Sequence, residues 1–383
     1  MPDAQRRVEP FATQTSAAQL DDLRARLRAT RWPDAPEQAG WSLGADVTYL
    51  RELIDYWAEE FDWPAQEAAL NRLPRFRVRL DGSRIHLIHA RAATRALPII
   101  LSHGWPDSFW RYIKVIPLLV DPAAHGADPA DAFDVVVPDM PGFGYSDPPP
   151  GAPIDSIAVA ARWARLMDVL GYHRFGAAGG DIGSHVSRYL ALDHPDRVVA
   201  VHRTDAGVPV FSGERAELTP AERAWFDGAA GWNAAEGAFG AMHRSKPQTA
   251  AVGLTDSPAG LAAWIVEKLR SWSDCDGDLE RSYTKDEILT NLSIYWFTGT
   301  IGSSMRMYHA NAAIPVAQLA RKVLVPSGFS LFPADLLRPP REWLERTATV
   351  VRVTEPVRGG HFAPFEEPEL YAQELREFFR PFR

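Results

Sequence analysis

In Phe175-Gly176-Ala177-Ala178-Gly179-Gly180-Asp181-Ile182-Gly183, a short apolar run ends in glycines set around an aspartate. A helical pattern, Ser184–Leu192, follows at once. This is the layout of a nucleophile elbow, the G-x-S-x-G turn between strand and helix, with Asp181 in the serine position. Such a turn is so tight that side chains at the glycine positions would collide with neighbouring backbone. Its central residue takes a strained conformation and projects over the sheet edge. Ser184 is the nearest hydroxyl, but Val186 stands where the closing glycine would have to be, so Ser184 is not at an elbow centre. A carboxylate nucleophile implies different chemistry from a serine. It is already ionised near neutral pH and attacks without a base. It suits displacement at an sp³ carbon bearing a leaving oxygen or halogen.

The segments around the elbow fit this reading. Apolar runs read as strands at Phe76–Leu80, Arg84–His89, Pro98–Ser102, Asp134–Pro138 and Val198–His202. They return at Lys322–Pro326 and Ala348–Val353. Asp81-Gly82 between the first two is a two-residue hairpin signal of type I′ character. Helical patterns such as Ile157–Leu170 separate most of the others. Short apolar strands alternating with helices indicate an α/β fold, a mostly parallel sheet covered on both faces. Residues 1–75 read instead as a helical meander, with apolar faces in Ala18–Ala29 and Asp46–Phe61 and with Trp32-Pro33 and Trp63-Pro64 as punctuation. Residues 207–313 are again helical and aromatic, clearest at Ala259–Trp272 and Lys285–Phe297. The expected organisation is a meander (1–75), a core in two parts (76–206 and 314–383) and a helical lid (207–313) inserted between them. Glu367–Phe379 reads as the last helix.

Composition narrows the function classes. Of 383 residues, 41 Lys and Arg against 49 Asp and Glu give a formal net charge of −8, which argues against a binder of phosphate backbones. One cysteine excludes an intrachain disulfide framework and a cysteine-based zinc cluster. It sits between Asp274 and Asp276, whose charges disfavour a thiolate. No apolar run approaches the roughly 20 residues of a membrane span, and Met1–Thr15 lacks the apolar core of a signal peptide. A cytoplasmic protein without a membrane anchor is expected. The 13 Trp and 18 Phe can fill a core or line an apolar pocket.

Two further motifs complete a catalytic set. Gly359-Gly360-His361-Phe362 lies between the last strand signal and the last helix. Asp335, in Phe332-Pro333-Ala334-Asp335-Leu336, lies beyond the strand Lys322–Pro326. The order nucleophile, acid, histidine is that of the α/β-hydrolases. His103-Gly104-Trp105-Pro106 follows the strand Pro98–Ser102 and can present a backbone N–H to an oxyanion, with His103 fixing the loop. Gly142-Phe143-Gly144-Tyr145-Ser146-Asp147 imitates a dinucleotide loop, but Asp147 replaces its third glycine, so no nucleotide is expected. His86 and His89, three apart in a strand, point to opposite faces and do not share a metal.

Together these residues resemble the microsomal-type epoxide hydrolases, a branch of the α/β-hydrolases that includes juvenile-hormone and fungal epoxide hydrolases. The resemblance spans nearly the whole chain. It is carried at the N-terminus by Leu50-Arg51-Glu52-Leu53, Tyr56-Trp57 and Phe61-Asp62-Trp63. In the lid it is carried by Asp256–Trp264, by Tyr295-Trp296-Phe297-Thr298-Gly299-Thr300 and by Ser303-Ser304-Met305-Arg306-Met307-Tyr308. It implies that Asp181 is the nucleophile and that His361 activates water. Asp335 would orient His361, in a position where relatives carry Asp or Glu. Tyr308 would donate a hydrogen bond to the epoxide oxygen. The backbone N–H groups of Trp105 and Ile182 would form the oxyanion hole, and Trp105 and Phe239 would line the substrate pocket. No cofactor and no metal are implied, and the only partner is a small-molecule epoxide. Homodimerisation is left open.

One departure stands out. The family has a second lid tyrosine seven residues before the Lys of a Thr-Lys-Pro-like motif. Here that motif is Ser245-Lys246-Pro247, and seven residues back is Phe239. No tyrosine occurs between Tyr189 and Tyr283, so a shifted alignment cannot restore it. A buried hydrogen bond of this kind is worth roughly 1–3 kcal/mol, so ring opening with one phenol is expected to be about ten- to a hundredfold slower. His243 and Trp232 are candidate replacements. The implied product is a vicinal diol, formed through an aspartyl ester from an apolar, aryl or bulky epoxide. The rivals are a haloalkane dehalogenase with the same nucleophile, disfavoured by Tyr308, and a slow or non-catalytic binding relative, kept in view by Phe239.

Overall fold

The computed structural model describes residues 8–36, 38–207, 210–211 and 213–383. In chain order its strands are Val8–Pro10 (β1), Arg75–Leu80 (β2), Ser83–Ala90 (β3), Leu97–Ser102 (β4) and Phe133–Pro138 (β5). They continue as Phe175–Gly179 (β6), Val198–Arg203 (β7), Val323–Ser330 (β8) and Ala348–Thr354 (β9). All nine join one sheet in the order β1-β2-β3-β5-β4-β6-β7-β8-β9. The first four positions pair antiparallel, and from β5 onward in that order the neighbours run parallel. This is the α/β-hydrolase fold. β4, β6 and β7 are almost wholly buried, as strands covered on both faces by helices must be. The sheet order reverses where β4 lies between β5 and β6, and ligands of open α/β sheets bind beyond the strand ends at such a reversal.

Local chemistry explains the connections. Asp81 and Gly82 both have positive φ, 48° and 82°, which a two-residue type I′ hairpin requires. Two expectations needed correction. The helical reading of residues 1–75 missed β1, a three-residue edge strand paired to β2, too short for any alternation to show. Trp63-Pro64 punctuates as expected, standing at the start of the next helix. Asp62 caps the helix Trp63–Asn71 by accepting from Ala65 N–H, and Pro64 occupies its first turn, where no N–H is needed. β8 also runs past its expected end at Pro326. The register shifts between Val323 and Pro326, so the proline sits at an irregularity and the strand continues.

Between β7 and β8 the main helices are Pro220–Glu236, Ala238–Ser245, Pro247–Asp256, Pro258–Trp272, Lys285–Thr298 and Ile301–Asn311. They reach back over the strand ends: Tyr295 donates to Asp107 O at 2.8 Å, and Asn291 to Pro106 O at 3.1 Å. The N-terminal helices touch both layers. Trp57 Nε1 donates to Ser293 Oγ and Tyr56 to Asp286, while Phe11 N–H extends the pairing onto Arg75 O. No helix among the described residues is long and apolar enough to cross a membrane.

Candidate active site

Asp181 follows β6 with φ 56° and ψ −131° and starts the helix Ile182–Asp193. Positive φ is uncommon for a residue with a side chain, and here the packing enforces it. A Cβ on Gly183 would lie 1.9 Å from the Ser102 carbonyl oxygen, and one on Gly179 would lie 2.4 Å from that of Gly183. Only glycines let the turn press this closely against β4. The Asp181 N–H donates to Asp205 Oδ2 at 2.8 Å, which anchors the strained residue from behind.

The two oxygens of Asp181 differ. Oδ1 accepts from Trp105 N–H at 2.9 Å, and Ile182 N–H also binds the carboxylate. Trp105 arrives on the loop after β4, where a Cβ on Gly104 would fall 2.2 Å from Asp181 Oδ1. His103 ties that loop down. Its Nδ1–H donates to Gly104 O and its Nε2 accepts from Met140 N–H, both at 2.9 Å. Oδ2 instead faces His361 Nε2 at 3.3 Å. That contact lacks hydrogen-bond alignment, so Nε2 is a buried nitrogen without a partner among the described residues.

His361 is held on every other side. Nδ1 lies 2.7 Å from Asp335 Oδ1, in the range of a charge-assisted bond. A parallel bridge between Ala334 and Gly360 brings the two loops together beyond β8 and β9. The His361 N–H donates to Trp272 O at 2.8 Å, and its carbonyl accepts from Arg111 at 2.5 Å. Gly360 allows the lid backbone through, since a Cβ there would sit 2.6 Å from Trp272 O.

The charges are coupled. Burial pushes the Asp181 carboxyl up, but the His361 ring and the Ile182 and Trp105 N–H groups outweigh it and hold the pKa well down. Burial pushes His361 down, but the charge of Asp335 and the adjoining Asp181 outweigh it and raise the imidazole. The resting pair is therefore carboxylate and imidazolium. Removing the Asp181 charge should reverse the balance at His361. In an Asp181→Asn variant, the His361 pKa read by ¹⁵N NMR of the ring should fall below its wild-type value. An unchanged titration would show that Asp335 alone sets it.

Tyr308, on the helix Ile301–Asn311, turns its ring toward Trp105, Phe239 and His243, with centroids at 6.1, 6.1 and 4.9 Å. Burial and the Asp181 charge push its phenol well above the ordinary range, so it stays protonated and can only donate to an anion. Phe239 stacks on Trp105 at 5.6 Å with a 10° tilt and meets Trp272 at 5.0 Å. The structure thus brings together Asp181, Asp335, His361, Tyr308, Trp105, Ile182 and Phe239, the positions expected for catalysis, the oxyanion hole and the pocket. Of the two candidate replacements for the missing tyrosine, His243 joins this cluster. Trp232 makes no ring contact with it.

Three functional neighbours were not anticipated. Asp205 follows β7, and burial, then the charges of Asp335 and Asp181, push its carboxyl up to about 6. A carboxylate just past a strand end is the signal that marked Asp335, and it was available here too. Arg111, paired to Asp107 and donating to the His361 carbonyl, carries no sequence signal. Neither does Glu366, which accepts from Phe362 N–H and from Asp274 N–H and so clamps the lid to the histidine loop. The glycines of Gly142–Asp147 serve a different end from phosphate binding: Gly144, with positive φ, passes over the Asp139 carboxylate, which accepts from Tyr145 N–H and His86 Nδ1. His89 belongs to another contact, with Tyr172. No metal-holding group of three or more His, Cys, Asp or Glu occurs among the described residues. Surface clefts beside Ser303 and Arg306, and beside Arg26 and Trp296, include none of the Asp181 cluster.

Comparison with known proteins gives the family and the fold. The family model "Epoxide hydrolase N terminus" matches residues 8–112, and the model "alpha/beta hydrolase fold" matches residues 98–234. The chain is 42% identical, over 98% of its length and 86% of the relative's, to a Stigmatella aurantiaca protein whose epoxide hydrolase name is provisional. It is 35% identical to epoxide hydrolase 1 of Sus scrofa, over 97% of this chain and 88% of that one. The crystal structure of juvenile hormone epoxide hydrolase from Bombyx mori superposes with a TM-score of 0.90 at 27% identity, covering 100% of this chain and 96% of the other.

Proposed function

This chain belongs to the epoxide hydrolase family, and from that premise we propose that it opens an apolar epoxide through an ester on Asp181 and releases a vicinal diol. The observation that carries the reading is the division of labour between the two oxygens of Asp181. The oxygen facing His361 is free to attack an epoxide carbon. The C–O bond of the ring breaks, its electron pair stays on oxygen, and Tyr308 supplies the proton. His361 opposes the nucleophile and is not needed for this step.

Ester formation removes the negative charge beside His361. The imidazolium then loses one of the two groups that raise its pKa, burial drives it to the neutral base, and the proton it releases restores the Tyr308 phenol through solvent. Nε2, which has no partner, takes a proton from water, and the hydroxide attacks Cγ. The tetrahedral charge develops on Oδ1, where the Trp105 N–H already points, with the Ile182 N–H on the same carboxyl group. His361 returns its proton to the departing alkoxide. The acid proton left on Asp181 passes to His361 and restores the resting pair. Asp335 fixes the tautomer of His361 and stabilises its charge. The aromatic ring of Trp105, Phe239, Trp272 and Tyr308 favours an apolar substrate, aryl epoxides first. A cytoplasmic setting suits the lone buried thiol of Cys275.

Isotope transfer tests the ester. With enzyme in excess over styrene oxide in H₂¹⁸O, the first-turnover diol should carry no ¹⁸O, and the peptide containing Asp181 should gain one label. Label in the first-turnover diol with an unlabelled enzyme would mean direct attack by water and would sink the reading.

A further inference from the structure

The lid lacks its second phenol, yet the helix that carries Phe239 places a different donor one turn later. His243 lies at i+4 from Phe239, on the same face of Ala238–Ser245. It is completely buried. Its ring meets Trp105 at 4.6 Å, Tyr308 at 4.9 Å and Phe239 at 5.5 Å. Its protonation is fixed by a neighbour. Trp264 Nε1 lies 3.1 Å from His243 Nε2. An indole can only donate, so Nε2 must accept and the ring hydrogen must sit on Nδ1. That Nδ1 is buried and has no hydrogen-bond partner among the described residues. Leaving such a donor unpaired is unfavourable, and buried donors are seldom left so.

Resting on the epoxide reading above, we propose that His243 Nδ1–H is the second hydrogen-bond donor to the epoxide oxygen, replacing the phenol that Phe239 cannot supply. Burial, reinforced by the charges of Lys268 and Arg244, pushes the His243 pKa down to about 3. The imidazole is therefore neutral at working pH. It does not give up its proton; it holds the oxygen while Tyr308 protonates it. A neutral imidazole N–H serving as electrophile has precedent in enzymes that polarise carbonyl oxygens. The donor keeps no charge that would compete for the Asp181 carboxylate before substrate arrives. Phe239 keeps a separate task, closing the pocket over Trp105.

The indole N–H groups of Trp105 and Trp272 are also buried and unpartnered among the described residues, so the test must single out His243. It is best run in a His361→Gln background, where only ester formation is read, with styrene oxide as probe and intact mass as readout. Adding His243→Phe should slow ester formation about ten- to a hundredfold, the worth of one hydrogen bond to a charged oxygen. His243→Asn, whose amide N–H can stand near Nδ1, should recover part of that loss. Phe239→Tyr added to His243→Phe should recover at least as much, which a merely structural role would not permit. Ester formation within twofold of the background in His243→Phe would overturn the assignment and shift the task to an indole. So would a slow His243→Phe protein whose loss is eased neither in His243→Asn nor by adding Phe239→Tyr, all with wild-type melting. Absence of any ester in the His361→Gln background itself would instead refute the Asp181 reading, and His243 with it.

Discussion

Asp181→Asn should abolish diol formation, with a loss in kcat/KM of about 10⁴-fold or more, the scale seen when a covalent nucleophile is removed. Asparagine is the informative substitution because it changes little else. Its side-chain oxygen can still accept from Trp105 N–H, and it tolerates positive φ better than alanine does. Asp181→Ala would mix the loss of the nucleophile with strain at a φ of 56°. The fold should survive, for a physical reason: the wild-type chain holds an ionised carboxylate in a buried elbow, beside the high-pKa Asp205. Replacing that charge by an amide removes like-charge repulsion from Asp205 and Asp335, while it also removes the attraction of His361. These terms oppose one another, so melting within a few degrees of wild type is expected. Undiminished turnover in a folded Asp181→Asn protein would refute the nucleophile assignment outright. A collapse in both activity and melting would show that the carboxylate also holds the elbow together.

The residues legible in advance are those whose chemistry demands a local pattern. Gly179, Gly180 and Gly183 announce the elbow because no other residue lets the turn lie against Ser102 and Thr204. Asp335 and His361 announce themselves by following strand ends in the order nucleophile, acid, base. Their approach across the Ala334–Gly360 bridge depends only on β8 and β9 being neighbours. The resemblance to the epoxide hydrolases supplied what pattern alone could not, the role proposed for Tyr308 in a lid with no strand register to place it. What escaped the sequence acts over long separations through single side chains. Arg111 reaches the His361 carbonyl across 250 positions, and Glu366 grips Asp274 across 92. No periodicity records such a contact. His243 is the intermediate case. Its proximity to Phe239 was visible from helical spacing, but its tautomer depends on Trp264, 21 residues away.

His361→Gln should separate the two chemical steps. In the proposed mechanism ester formation uses only Asp181 and the oxygen donors, so it should persist. Hydrolysis of the ester needs the base and should slow by about 10²–10⁴-fold, the usual contribution of a positioned general base. The protein should therefore accumulate an adduct equal in mass to the whole epoxide, located on the peptide that contains Asp181. The substitution also predicts a change in pH dependence whose sign follows from the charges. In the wild type, His361 holds the Asp181 carboxyl down against the upward push of burial. Without the imidazolium that push is less opposed, so the Asp181 pKa rises. Ester formation in the variant should then lose rate as pH falls through this higher value, an acid limb displaced upward from that of the wild type. An adduct whose rate of formation has the same acid limb in both proteins would mean that His361 does not set the ionisation of the nucleophile. An adduct equal to alkyl minus hydrogen, formed from alkyl halides and not from epoxides, would move the chemistry to dehalogenation while leaving Asp181 in place as nucleophile.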